Sequence, residues 1–193
     1  MSTFVLQLTG RLNLTYYHSA KTAGTSIRSW LANHADADTK LVKLPADQSL
    51  VELKSSYYIP LSFTVVRNPW DRMVSVWSYG QDRGWNFQDI VPAKTHQPTF
   101  KEFAHSLCDL DQESVNIATP LSKLTQDVDI TLRFENLDKD FEQIQSLLST
   151  AEPLPHLKAS QRERNYKHYY DHETRSIIGD LFAMDIAQYG YSY

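Results

Sequence analysis

The chain has 193 residues, of which 41% are hydrophobic and 22% charged, and its formal net charge is −4. This length and composition predict a soluble protein with one domain over residues 1–193. The acidic balance excludes a general nucleic-acid binder, which carries a basic surplus, but leaves room for a local basic pocket around a small anion.

The chain contains a single cysteine, Cys108, and no long apolar run. One thiol excludes an intrachain disulfide and a thiolate zinc cluster, and we expect Cys108 to be a small core residue. A membrane span needs ~20 apolar residues, and residues 1–8 lack the basic start and the long apolar core of a signal peptide. The sequence therefore predicts a cytoplasmic protein without a membrane span.

Apolar and turn residues predict alternating strands and helices. In chain order, the predicted elements are a strand over 12–18, a turn over 19–24, a helix that buries Ile27, Trp30 and Leu31, a helix over 47–54, a strand over 61–66, a helix from Pro69, a surface connection over 80–98, a helix over 100–110, a strand over 128–135, a helix over 137–148, and a last helix between Asp171 and Gly190. This alternation predicts an α/β domain with a mainly parallel central sheet flanked by helices. In such a sheet, ligands bind beyond the carboxyl ends of the strands.

The segment Lys21-Thr22-Ala23-Gly24-Thr25-Ser26 follows the first of these strands and opens a helix. Its small residues let the backbone approach a ligand closely, and Gly24 is expected to relax the dihedral limits. The unpaired N–H groups of the first helical turn, the helix dipole, the hydroxyl groups and the Lys21 ammonium together predict an anion-binding loop. A capped helix beside a solvated lysine is the alternative interpretation.

A second segment, Phe63 to Ser75, joins the end of a buried strand to the start of a helix. Arg67 ends the strand, so its guanidinium can reach a cleft and bind phosphate through two N–H groups. Ser75 lies about two turns into the helix, ~9 Å along its axis from Pro69, so both side chains can meet at one phosphate. A buried ion pair is the alternative for Arg67, and Arg72 is expected to have a structural role.

These two segments resemble motifs of a known family. Tyr17 to Ile27 (YHSAKTAGTSI) is similar to the 5′-phosphosulfate loop of the sulfotransferases that use PAPS, 3′-phosphoadenosine 5′-phosphosulfate, and Phe63 to Ser75 is similar to their 3′-phosphate motif. Arg133 to Leu137 (RFENL) and the region from residue 154 to residue 191 resemble the carbohydrate-sulfotransferase-like branch. The fold that this resemblance implies is the P-loop NTPase-like α/β fold.

The resemblance also implies roles for individual residues. The residues that would contact the donor are Lys21 to Ser26 at the phosphosulfate, Arg67 and Ser75 at the 3′-phosphate, and Ser160 and Arg162 in a loop that closes over the donor. PAPS is then a co-substrate that leaves as PAP, and no metal is expected.

In the implied reaction, an acceptor hydroxyl attacks sulfur while Lys21 stabilises the charge on the departing phosphate. A base has to take the acceptor proton. Many relatives place a histidine base upstream of the arginine, where this chain has Lys43-Leu44-Pro45-Ala46-Asp47. Asp47 is the nearest carboxylate and Glu52 the next, while His18 is expected to orient the donor or to pack beneath the loop.

The sequence thus predicts a PAPS-dependent sulfotransferase that acts on a hydroxyl of a saccharide or small molecule. One alternative is a nucleotide-dependent phosphotransferase of related fold. The spacing of a Walker A loop, in which the lysine follows the second glycine, is missing and counts against it. The other alternative is a non-catalytic module that binds PAPS or PAP. Trp85 and Phe87, in the predicted surface connection, could stack on a sugar ring.

Overall fold

The structure, a computed structural model, describes residues 4–9, 13–35, 40–44, 50–83, 85, 97–110, 117–157 and 162–193. Its strands are β1 (Phe4–Thr9), β2 (Leu14–His18), β3 (Lys40–Leu44), β4 (Leu61–Val66) and β5 (Ile130–Arg133). The α-helices within these residues are α1 (Gly24–Asn33), α2 (Leu50–Ser56), α3 (Pro69–Arg83), α4 (Phe100–Ser106), α5 (Leu121–Leu124), α6 (Leu137–Asp140), α7 (Glu142–Leu147), α8 (His172–Leu181) and α9 (Ala183–Tyr189). Short 3₁₀ helices cover Leu107–Asp109, Phe134–Asn136 and Tyr166–Tyr169.

The chain divides into two compact units. The first, the sheet unit, comprises Ser2–Arg67 and Leu124–Ala159 and contains the described strands. The second, the helical unit, comprises Asn68–Lys123 and Ser160–Tyr193. The expectation of a single domain over residues 1–193 stays a prediction.

The strands form one sheet in the order β3-β1-β2-β4-β5. β2 pairs with β4 and β4 with β5 in parallel, whereas β1 is antiparallel to both β2 and β3. β3 therefore points the same way as β2, and β1 alone among these strands is reversed. This confirms the predicted mainly parallel α/β sheet. The carboxyl ends of β2, β4 and β5 lie at one edge, where ligands bind in such sheets.

The apolar pattern of the central strands and of α1 explains the core of the sheet unit. Every residue of β2 is buried, and so is every residue of β4 except Leu61, because central strands are covered on both faces. The predicted stripe of Ile27, Trp30 and Leu31 on α1 is completely buried and belongs to the same core cluster as Phe63 of β4. The local helical periodicity therefore identified the face of α1 that packs in the core.

In the helical unit, α8 begins where the sequence predicted. Asp171 accepts a hydrogen bond from the backbone N–H of Thr174 at 2.8 Å, which forms a capping box. The unit buries Ile178 and Phe182, and α9 ends at Tyr189, where Gly190 caps it in the left-handed conformation. A break at Phe182 divides what the sequence predicted as one helix into α8 and α9.

The predicted surface connection over 80–98 is wrong at its start. Helix α3 continues through Gly80 to Arg83, and the ring of Trp85 packs against Gly80, where an added Cβ would lie 2.7 Å from Trp85 Cε2. Trp85 also packs against Phe103, with 5.7 Å between the ring centroids. The glycine therefore makes room for a packed tryptophan. Phe87 lies outside the described residues.

Two further expectations are corrected. The strand predicted over 128–135 is shorter, because the chain turns into a 3₁₀ helix at Phe134. Cys108 is exposed rather than in the core. Helix α4 ends at Ser106, and the tighter 3₁₀ turn that follows buries Leu107 instead.

Candidate functional site

The loop between β2 and α1 has two residues in the left-handed region. Lys21 has a φ of 66° and Ala23 a φ of 62°. Residues other than glycine adopt such backbone angles rarely and at a cost in free energy. Gly24, expected to relax the dihedral limits, is instead the first residue of α1. Left-handed residues within a loop turn successive N–H groups toward one concave surface, which is a common way to bind an anion.

Gly24 is needed for space rather than for backbone freedom. A Cβ on Gly24 would lie 1.9 Å from Cδ2 of His18, the last residue of β2. His18 is 8% exposed, so its ring has little room to move aside. The imidazole therefore packs directly against the start of α1.

The first turn of α1 carries no side-chain cap from its N-cap residue. Ala23 holds the N-cap position, has no capping oxygen, and is followed by a first turn without acidic residues. The Thr22 hydroxyl donates to the Ser19 carbonyl at 2.8 Å, which closes the loop on itself. The helix thus presents its partial positive end and its N–H groups at the carboxyl edge of the sheet.

Two side-chain hydrogen bonds support the loop and the start of α1. The Tyr16 hydroxyl donates to the Thr22 carbonyl at 3.5 Å, and complete burial raises the pKa of this hydroxyl above its usual range. The Ser26 hydroxyl accepts a hydrogen bond from the backbone N–H of Leu157 at 3.1 Å. A hydroxyl can accept and donate at once, so this bond leaves the Ser26 O–H able to donate to a ligand.

Arg67 lies beside this loop. Its Nη1 donates to the Lys21 carbonyl at 2.8 Å, its Cζ lies 3.8 Å from the centre of the Phe134 ring, and the residue is 6% exposed. Phe134 was not predicted as a site residue, although it lies in the RFENL segment. The parallel register pairs Val66 with Arg133, so the residues that follow the two strands, Arg67 and Phe134, lie side by side.

Other predicted site residues are in the helical unit or outside the described residues. Ser75 is 3% exposed and lies on α3. Arg162 forms an ion pair with Asp71 within the helical unit. Asp47 and Ser160 lie outside the described residues, so their roles stay predictions.

Glu52, the second carboxylate considered as a base, is exposed on α2. Burial and, to a smaller extent, the negative charge of Glu52 raise the pKa of the Tyr17 hydroxyl. Tyr17 therefore stays protonated at neutral pH. Among the residues that the structure describes, no group of three or more His, Cys, Asp or Glu side chains is arranged to hold a metal ion, and no helix is long and apolar enough to cross a membrane.

Comparison with known protein families identifies the family of the chain. A family model described as the sulfotransferase family matches residues 5–192, nearly the whole chain. No curated protein and no solved structure matches the chain. The match covers both β2 with its loop and β4 with Arg67. Together with the observed sheet, this family match confirms the expected P-loop NTPase-like α/β fold. The chain therefore belongs to the sulfotransferase family, whose members transfer sulfuryl groups.

Proposed function

We propose that this protein is an enzyme that moves a sulfuryl group from PAPS to an acceptor hydroxyl. The observation that carries the proposal is the hydrogen bond from Arg67 to the Lys21 carbonyl. It places the arginine of the 3′-phosphate motif beside the loop of the 5′-phosphosulfate motif, within one compact unit. Two anion-binding elements at one sheet edge suit a nucleotide that carries phosphate at both ends.

The chemistry of the loop suits the leaving group. The acceptor oxygen forms a bond to sulfur, the bond from sulfur to the bridging oxygen of the 5′-phosphate breaks, and PAP leaves with the additional negative charge. The Lys21 ammonium and the N–H groups at the start of α1 stabilise that charge. A base takes the acceptor proton, and Asp47 is the first candidate for this role, with Glu52, exposed on α2, as the second.

The assignment of Ser75 and Arg162 to the donor site rests on the resemblance. For the acceptor, we propose a carbohydrate hydroxyl, because the RFENL segment and the C-terminal region resemble the carbohydrate-sulfotransferase-like branch. The net charge of −4 argues against a strongly anionic polymer, since such a substrate favours a basic surface.

The proposal is tested by titrating PAP into the protein by calorimetry without magnesium, beside ATP with magnesium. We expect PAP to bind more tightly than ATP, and Lys21→Ala and Arg67→Ala to weaken PAP binding. Arg28→Ala is the matched control, because Arg28 is exposed on α1 and its loss changes the net charge equally. A clear preference for ATP with magnesium would instead support a phosphotransferase.

Turnover separates an enzyme from a binding module. Incubation with PAPS labelled in its sulfur and with a panel of saccharides should yield a labelled product. PAP binding without transfer to any hydroxyl acceptor would support the non-catalytic alternative.

A further inference from the structure

The bond between Arg67 and the Lys21 carbonyl has a consequence for the loop itself. In a trans peptide the C=O and the following N–H are coplanar and point in opposite directions. Since Arg67 Nη1 holds the Lys21 oxygen at 2.8 Å, it also fixes the direction of the Thr22 N–H. Lys21 itself is in the left-handed region, with a φ of 66°, which needs support from its surroundings.

Phe134 holds the arginine in place for this bond. Its ring lies 3.8 Å from Arg67 Cζ, and a guanidinium packs face-on against an aromatic ring while its N–H groups donate in its own plane. The parallel pairing of β4 with β5 fixes this proximity through the backbone. Arginine has five N–H donors in a planar fork, so one guanidinium can donate to a carbonyl and to a phosphate together.

We propose that Arg67 is a positioning residue for the anion-binding loop, and that Phe134 keeps it in that role. The link to the donor rests on the proposed function, in which Arg67 also binds the 3′-phosphate. A 3′-phosphate that orders the guanidinium then orders the Lys21–Thr22 peptide, so the two ends of PAPS bind cooperatively through one side chain.

The first test reads the loop without a ligand. Amide hydrogen exchange of the segment 19–27, in which the Ile27 N–H donates to the Ala23 carbonyl at 3.2 Å, is measured in the wild-type protein, Arg67→Ala, Arg67→Lys and Arg28→Ala. We expect exchange in this segment to be about tenfold faster in Arg67→Ala, because a hydrogen bond from a charged donor is lost. Arg67→Lys should not restore slow exchange, since an ammonium lacks the planar fork. Arg28→Ala should leave the segment unchanged.

The second test uses adenosine 5′-phosphosulfate, which is PAPS without its 3′-phosphate. If Arg67 positions the loop, Arg67→Ala lowers the affinity for this nucleotide about tenfold and also lowers the affinity for PAP. Phe134→Leu should also lower the affinity for adenosine 5′-phosphosulfate. Phe134→Tyr keeps the ring and should bind this nucleotide as tightly as the wild-type protein does. Thermal unfolding of each variant shows that it is folded.

The outcomes distinguish this inference from the proposed function. Unchanged loop exchange in a folded Arg67→Ala variant overturns the positioning role. So does loss of affinity for PAP alone, which would make Arg67 a phosphate ligand only. Faster exchange in a protein that binds neither nucleotide would support the positioning role and refute the PAPS proposal.

Discussion

Arg162 forms an ion pair with Asp71 in the first turn of α3, and both side chains are largely buried, with 9% and 15% of their surfaces exposed. Within the helical unit, this pair ties the segment that precedes the Tyr166–Tyr169 helix to α3. The resemblance had assigned Arg162 to the donor. Its guanidinium thus has a structural partner within the helical unit.

A double-mutant cycle of Asp71→Ala and Arg162→Ala measures this pair. We expect a coupling free energy of unfolding of about 1–3 kcal/mol, because a shielded pair is screened little by solvent. The pair of His156 with Asp138 is the control, since its side chains are 79% and 74% exposed and its coupling should stay below about 1 kcal/mol. Equal coupling in the two cycles would show that burial adds nothing to the Asp71 pair.

Gly24→Ala should destabilise the protein. The new Cβ would lie within 2 Å of the buried His18 ring, and we expect a loss of about 1–3 kcal/mol in urea unfolding. Gly179→Ala is the matched control on α8, where the nearest atom to a new Cβ is Trp70 Cζ2 at 3.5 Å. In that variant the free energy of unfolding should stay the same or rise by up to about 1 kcal/mol, because alanine has the higher helix propensity. A Gly24→Ala variant as stable as wild type would mean that His18 moves aside freely.

Ala23→Gly should stabilise the protein, in contrast to most Ala→Gly changes. Ala23 has a φ of 62°, and glycine adopts this conformation without a steric cost. The gain is reduced by the greater freedom of glycine in the unfolded chain, so about 0.5–1 kcal/mol is expected. Ala32→Gly, at an exposed position of α1, is the control and should lower the free energy of unfolding by about 1 kcal/mol. A loss in both variants would contradict the left-handed conformation at Ala23.

Asp171 should contribute to stability in a pH-dependent manner. The hydrogen bonds from Thr174, with a smaller effect of the Lys101 charge, lower the pKa of Asp171 from 3.8 to about 2. Because the folded-state pKa is depressed, this contribution is complete above about pH 4 and is lost as the pH falls through about 2. Asp171→Asn keeps a capping oxygen and removes the titration. The difference in unfolding midpoint between wild type and this variant should therefore shrink between pH 4 and pH 2, and a constant difference would exclude the pKa shift.

Local periodicity and capping chemistry located β2, β4, β5 and most of the described helices, whereas β1 and β3 were not predicted. The limits of β4, the start of α3 at Pro69, and the cap at Asp171 depend on residues that are close in sequence. The order of residues in the loop 21–26 likewise predicted a turn before a helix, and its binding of an anion stays a prediction. The match of the sulfotransferase family model to residues 5–192 agrees with both segments that had suggested the family.

The tertiary structure alone decided which residues support the loop. The sequence indicates that Gly24 is small, but only the position of the His18 ring explains why a Cβ is excluded. Phe134 lies beside Arg67 because β4 and β5 pair in parallel and in a particular register, across a long separation in sequence. Sequence patterns report the local backbone and which faces are buried, whereas contacts between distant segments depend on packing and register, which the sequence encodes only collectively.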